Sequence, residues 1–242
     1  MAELYAEADG YAYHYAFGGT WNNVRDAGTS ALANNTLASR QVAVAGYVIS
    51  GFFTLPVISR TFIRFDCSGI SSTLSEASLK IYGYVSFDRG DDEDFFILKS
   101  TALTAQIGGD YLVETTDFDA ITGWDTSSPT TNGSGNGDQS SNVTFYSDMY
   151  DISSGWSTSG YNTIPLNAQA RADLVSQNTF TICIIANSDL KDLPQSIAFG
   201  SVQSAMGMYY KDNTGTSKDP YIDYTEGETA VANNSVFFGT SF

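Results

Sequence analysis

Residues 60–87, RTFIRFDCSGISSTLSEASLKIYGYVSF, carry two β-strand patterns joined by a short polar turn. In the first, Thr61, Ile63 and Phe65 point one way while Phe62 and Arg64 point the other. In the second, Leu79, Ile81, Val85 and Phe87 alternate with Lys80, Tyr82, Tyr84 and Ser86. Alternation at period two over runs this long suits strands that lay one face on a core, and it predicts a β-sandwich.

Strand-like runs, short and rich in aromatic and β-branched residues, recur at 10–17, 40–50, 94–101, 143–151, 161–166, 179–186, 196–202, 206–211 and 220–225. Gly, Ser, Asn and Asp separate them. One helix is expected over residues 167–175, where Asn167 follows Pro165 and Leu166 as a natural N-cap. The fold class is therefore all-β, a sandwich of two antiparallel sheets with one short helix. At 242 residues and 42% hydrophobic content the chain can fill one such domain. Residues 1–225 are expected to form it. Between Trp124 and Asn142 the polar run TSSPTTNGSGNGDQSS reads as a long loop. Residues 226–242 read as a C-terminal tail, in which Phe237, Phe238 and Phe242 are too apolar to stay in water. Docking on its own domain and docking on a neighbour as an assembly peptide are both open to that tail.

The formal charge is −16, from 27 acidic and 11 basic side chains. Such a field repels phosphate backbones and anionic membranes, which argues against nucleic-acid binding. The start, Met1-Ala2-Glu3-Leu4-Tyr5, has neither a basic nor an apolar leader region, and no run of 18 apolar residues occurs. Synthesis in the cytoplasm without an export signal, and no membrane insertion, are the expectations. Cys67 and Cys183 sit in or beside apolar strands and read as two buried thiols.

Candidate chemistry is sparse. His14 is the only histidine, and it lacks a serine motif or a second histidine to work with. On the same strand Tyr11, Tyr13 and Tyr15 share one face. The stretch Asp88-Arg89-Gly90-Asp91-Asp92-Glu93-Asp94 offers Asp88, Asp91, Asp92 and Asp94 as Ca²⁺ ligands on a glycine-containing turn, but it lacks EF-hand spacing, and a solvated hairpin tip is the reading preferred over the metal site. No other cofactor is indicated. Trp21, Trp124 and Trp156 stand beside Asp, Asn and Thr in loops. Each is either a stacking platform for a sugar ring or a pin that holds its own loop on the sandwich. A non-enzymatic role follows, since no carboxylate pair or nucleophile motif declares itself.

Four segments occur in a telling order: Arg60-Thr61-Phe62-Ile63-Arg64-Phe65-Asp66, Ser75-Glu76-Ala77-Ser78-Leu79-Lys80-Ile81-Tyr82, Trp124-Asp125, and Asp219-Pro220-Tyr221-Ile222-Asp223-Tyr224. Together they resemble the landmarks of DNRLRE-type jelly-roll domains over about residues 9–225. The resemblance implies a jelly-roll sandwich similar to carbohydrate-binding modules. It also makes Arg64 a structural arginine, expected to pair with a carboxylate. Stand-alone sequences that begin Met-Ala-x-Leu-Tyr-Ala and carry a Gly-Tyr-x-Tyr strand look like tailed-phage virion proteins. That likeness implies a structural protein on a virion exterior, as head decoration, fibre or tail-appendage subunit. Its partners would be other virion proteins, copies of itself and host-surface glycan. A carbohydrate-binding module of a secreted or surface protein is the alternative.

Overall fold

The computed structural model describes residues 1–50, 53–87, 94–104, 106–126, 136–153, 155–194, 202–212 and 214–227. Among them the strands are β1 (Ala2–Tyr5), β2 (Ala8–Tyr15), β3 (Leu32–Asn34), β4 (Ser39–Ser50), β5 (Phe53–Asp66), β6 (Leu74–Phe87) and β7 (Phe95–Lys99). They continue with β8 (Gln106–Ile107), β9 (Asp110–Tyr111), β10 (Tyr161–Pro165), β11 (Thr179–Ala186), β12 (Val202–Tyr209) and β13 (Tyr221–Glu226). Helices α1 (Trp21–Arg25), α2 (Ala168–Ser176) and α3 (Asn187–Leu190) and a 3-10 turn at Thr115–Asp119 complete the regular structure. The protein is an all-β sandwich of antiparallel sheets. Helix α2 is the one expected from sequence, and α1 and α3 add single turns.

Strand β5 organises one layer. Residues 57–64 pair with β2, residues 53–59 with β4 and residues 61–66 with β11. Because β2 shares residues with both others and a strand has two edges, β4 and β11 lie one after the other along the edge opposite β2. Both faces of β5 are covered as well: Ile58, Arg60, Thr61, Phe62 and Ile63 have no exposure. Full burial explains an apolar run in place of strict alternation. Pro56 lies within the strand, opposite Tyr47 of β4. Lacking an N–H, it disguises residues 53–59 as something other than strand.

Strand β6 has one wet face. Leu79 and Ile81 are fully buried, while Lys80 and Tyr82 are half-buried and Tyr84 is 47% exposed. Strand β10 flanks residues 78–82 of β6 and β13 residues 74–80, and β12 continues along residues 83–87. Strand β1 closes this layer by pairing with β13, Ala2 opposite Tyr224 and Tyr5 opposite Tyr221. At Gly83 a Cβ would stand 1.8 Å from the Ser157 carbonyl oxygen, so only glycine lets the 157–160 segment cross the strand there.

Helix α2 begins where Asn167 accepts a hydrogen bond from the Ala170 N–H at 3.0 Å, and it buries Ala170 and Leu174. On its flank Asp173 accepts from Tyr146 and Lys99, at 2.5 and 2.8 Å, tying the helix to β7 and to the loop before β10. Residues 143–151, expected as a strand, instead make isolated bridges to β7, Phe145 to Leu98 and Tyr150 to Phe95. The segment runs as irregular chain that uses its aromatic rings to pack: Phe145 on Phe96, and Tyr150 on Phe95. Aromatic content mimicked strand propensity there. Residues 196–201 of one predicted strand lie outside the described residues.

Candidate functional site

The three tryptophans are interior residues, which overturns their reading as sugar platforms. Trp21 is 4% exposed, and Trp124 and Trp156 are each 8% exposed. Trp21 opens α1 behind a Thr20/Asn23 capping box and donates its indole N–H to Asp192 at 3.0 Å. Trp156 packs edge-on against Phe95 and Tyr150, with ring centres 5.9 Å from each. Trp124 is covered by two cations, Arg60 at 4.3 Å and Arg25 at 5.2 Å from its ring centre. None of them offers a ring face to a ligand.

Those two arginines form a buried ionic centre that no local motif announces. Arg60 is wholly buried, and every N–H of its guanidinium has an acceptor. Nε and Nη2 donate to the two Asp189 oxygens at 2.8 and 2.9 Å. Nη1 reaches Asp119 at 2.7 Å and the Phe118 carbonyl at 2.8 Å, and Nη2 also reaches the Arg25 carbonyl at 3.1 Å. Arg25 in turn holds Asp26 at 2.8 Å and the carbonyls of Asp189 and Gly137 at 2.6 and 2.7 Å. Burial opposes the Arg60 charge, but Asp189 and Asp119 outweigh it and its pKa is raised. Burial likewise raises Asp26 and Asp119, against the pull of the arginines. This centre fastens α1, α3, the 3-10 turn and the 136–139 loop to β5. Asp189 is 129 residues from Arg60, so no sequence window contains the pair.

Arg64 meets its expectation: Nε donates to Glu7 at 2.8 Å, and the residue is 7% exposed. Its guanidinium also stacks 3.8 Å from the Tyr111 ring centre. His14 is half-buried beside Phe118, and burial lowers its pKa. Tyr13 and Tyr15 keep ring contact at 5.8 Å, whereas Tyr11 is buried. Cys67 and Cys183 are buried free thiols, both with pKa values pushed up by burial. Of the acidic turn, Asp94 is described: its Oδ1 accepts from the Ile152 N–H at 3.3 Å. Asp88, Asp91 and Asp92 lie outside the described residues, as do Phe237, Phe238 and Phe242. Among the described residues no group of three or more His, Cys, Asp or Glu side chains is placed to hold a metal ion. No described helix is long and apolar enough to cross a membrane.

Two surface features remain. The first is a row of six tyrosines on the outer face of the β6 layer. Ring centres step from Tyr84 to Tyr209 at 5.4 Å, to Tyr82 at 5.7 Å, to Tyr161 at 5.2 Å, to Tyr221 at 5.0 Å and to Tyr5 at 5.3 Å. The first four steps are edge-to-face, which is the favoured geometry for quadrupolar rings. Hydroxyls tie three members: Tyr82 donates to the Ser159 carbonyl at 2.7 Å, Tyr161 to the Asp219 carbonyl at 3.1 Å and Tyr5 to Glu3 at 2.9 Å. Lys218 lies over Tyr209 at 3.9 Å and over Tyr82 at 5.2 Å. The ends are open, Tyr84 at 47% and Tyr5 at 41% exposure. Sequence alternation points Tyr82 and Tyr84 outward, but the row draws on β1, β6, β10, β12 and β13. Only strand register assembles it.

The second is a polar cleft of about 360 Å³ between the start of β2, the β8–β9 hairpin and the turn after β12. Asp9 lies at its base, with Asp110 and Asp212 exposed at its rim. Asp9 is buried, and its Oδ2 accepts from the Lys211 N–H at 2.9 Å. Burial raises its pKa to about 7, partly opposed by that hydrogen bond and further raised by Asp212.

No known family model matches the chain, and no curated protein matches it.

Proposed function

We propose that the protein is a non-enzymatic structural subunit of a phage virion exterior that contacts glycans through its tyrosine row. The row carries this reading. Tyrosine rings bring apolar faces that suit the C–H faces of sugars and hydroxyls that suit their polar edges, at low cost in side-chain entropy. Edge-to-face packing holds the rings in place before any ligand arrives, which is the preorganisation that favours binding. The virion setting rests on the resemblance to tailed-phage sequences. Other virion proteins and further copies of the chain are its proposed partners, with residues 226–242 as an assembly peptide. A secreted or surface carbohydrate-binding module would use the same row, and only the location differs.

Two measurements test the parts separately. Mass spectrometry of purified particles is expected to find the protein, and its absence from them would remove the virion assignment while leaving the binding reading intact. On a glycan array the full chain is expected to bind, and Tyr84→Ala and Tyr209→Ala each to weaken binding about tenfold, the equivalent of about 1.4 kcal/mol. Binding unaffected by either variant would discard the row as the contact surface.

A further inference from the structure

We infer that the cleft lined by Asp9 binds a cationic, hydroxyl-rich ligand, a sugar unit carrying a free amine, at a site separate from the tyrosine row. Three observations converge on it. The first is an orphaned oxygen. Asp9 is 3% exposed and its Oδ1 has no hydrogen-bond partner, a state that buried carboxylates rarely keep. An incoming donor completes it.

The second is uncompensated charge. Of the carboxylates lining the cleft, Glu7 is committed to Arg64 at 2.8 Å. Among the described residues Asp9, Asp110 and Asp212 make no ion pair. The one lining cation, Lys211, gives its ammonium to the Glu7 carbonyl. Arg64 stacks on the Tyr111 ring without itself lining the cleft. The space therefore presents net negative charge to a ligand that brings a cation.

The third is size and lining. A volume of about 360 Å³ lies at the small end of ligand sites, far above what an ion needs. Carboxylates that form no metal-holding group can still pair with an ammonium and neighbouring hydroxyls. Tyr111 supplies a ring for the sugar face, and Thr36 and Gln106 add a hydroxyl and an amide. An amino sugar uses all of these at once.

Calorimetric titration of the full chain at neutral pH tests the proposal with three probes: the glucosamine disaccharide, its diacetylated counterpart, and calcium chloride. Binding of the free-amine sugar is expected, about tenfold weaker for the diacetylated form and about tenfold weaker in Asp9→Asn and in Asp212→Asn. Asp212 is on the exposed rim, so its variant keeps the test decisive should Asp9→Asn fail to fold. Equal affinity for the two sugars, heat from calcium alone, or no heat from the free-amine sugar would each overturn the proposal. Loss of binding in Tyr84→Ala with the two aspartate variants unaffected would assign the sugar to the tyrosine row and sink the cleft.

Discussion

Asp189→Ala is expected to destabilise the fold by roughly 3–5 kcal/mol, the cost of leaving one partner of a buried ion pair alone. Arg60 has no exposure and spends two of its N–H groups on Asp189. With that carboxylate gone, Asp119 is the remaining charged partner of the guanidinium, at 2.7 Å. Arg25 loses a charged neighbour too, because its Nε stands 3.8 Å from an Asp189 carboxylate oxygen. A contrasting variant, Asp223→Ala, removes the half-exposed partner of Lys80, 3.9 Å away. It is expected to cost less than about 1 kcal/mol. Urea denaturation of both variants measures the difference. Equal losses would mean that the Arg60 centre carries no special share of stability.

The second large effect is a dependence on pH that runs opposite to the common case. Asp9 has a pKa of about 7 in the fold against an ordinary 3.8. The folded state therefore holds a proton that the unfolded chain releases. Its contribution is complete below about pH 4 and is lost as pH rises through 7. At about 1.4 kcal/mol for each pH unit between those values, the loss is on the order of 4 kcal/mol. Burial raises Asp26, Asp117, Asp119, Asp212 and Asp219 as well, with the same sign. Asp9→Asn keeps an acceptor for the Lys211 N–H and removes the ionisation. It is expected to be more stable than the parent above pH 7 and to differ little from it near pH 4. Urea melts across that range decide, and a parent protein whose stability climbs from pH 5 to pH 8 alongside an unchanged Asp9→Asn would refute the assignment.

What could be read from local pattern was what local pattern controls. Alternation in β6 placed Leu79 and Ile81 inside and Tyr82 and Tyr84 outside, and Asn167 marked the start of α2. Arg64 found its carboxylate in Glu7. Three of the failures share one cause, partners distant in the chain. Trp124 looked like loop equipment because the arginines that cover it come from residues 25 and 60. Arg60 stood in the same strand pattern as Arg64 and drew no notice, since its carboxylates are at positions 119 and 189. The cleft escaped for the same reason: Asp9, Asp110 and Asp212 meet only after β2, β9 and the turn following β12 are in register. Residues 143–151 failed differently, their aromatic rings serving side-chain packing where strand pairing was expected.

Pairing of β1 with β13 has a consequence for how the molecule is made. Residues 2–5 cannot find their partners until residues 221–224 have been synthesised, so the layer holding the tyrosine row closes only after more than 200 further residues have been made. Loop closure over that separation is entropically costly and belongs to the slow class of β-topologies. Until then Tyr5 and Tyr221 are apart and β13 is missing from the edge of β6. An open strand edge of that kind is where nascent chains join one another. The emerging polypeptide is thus most exposed to mispairing just before the face proposed for recognition comes into being.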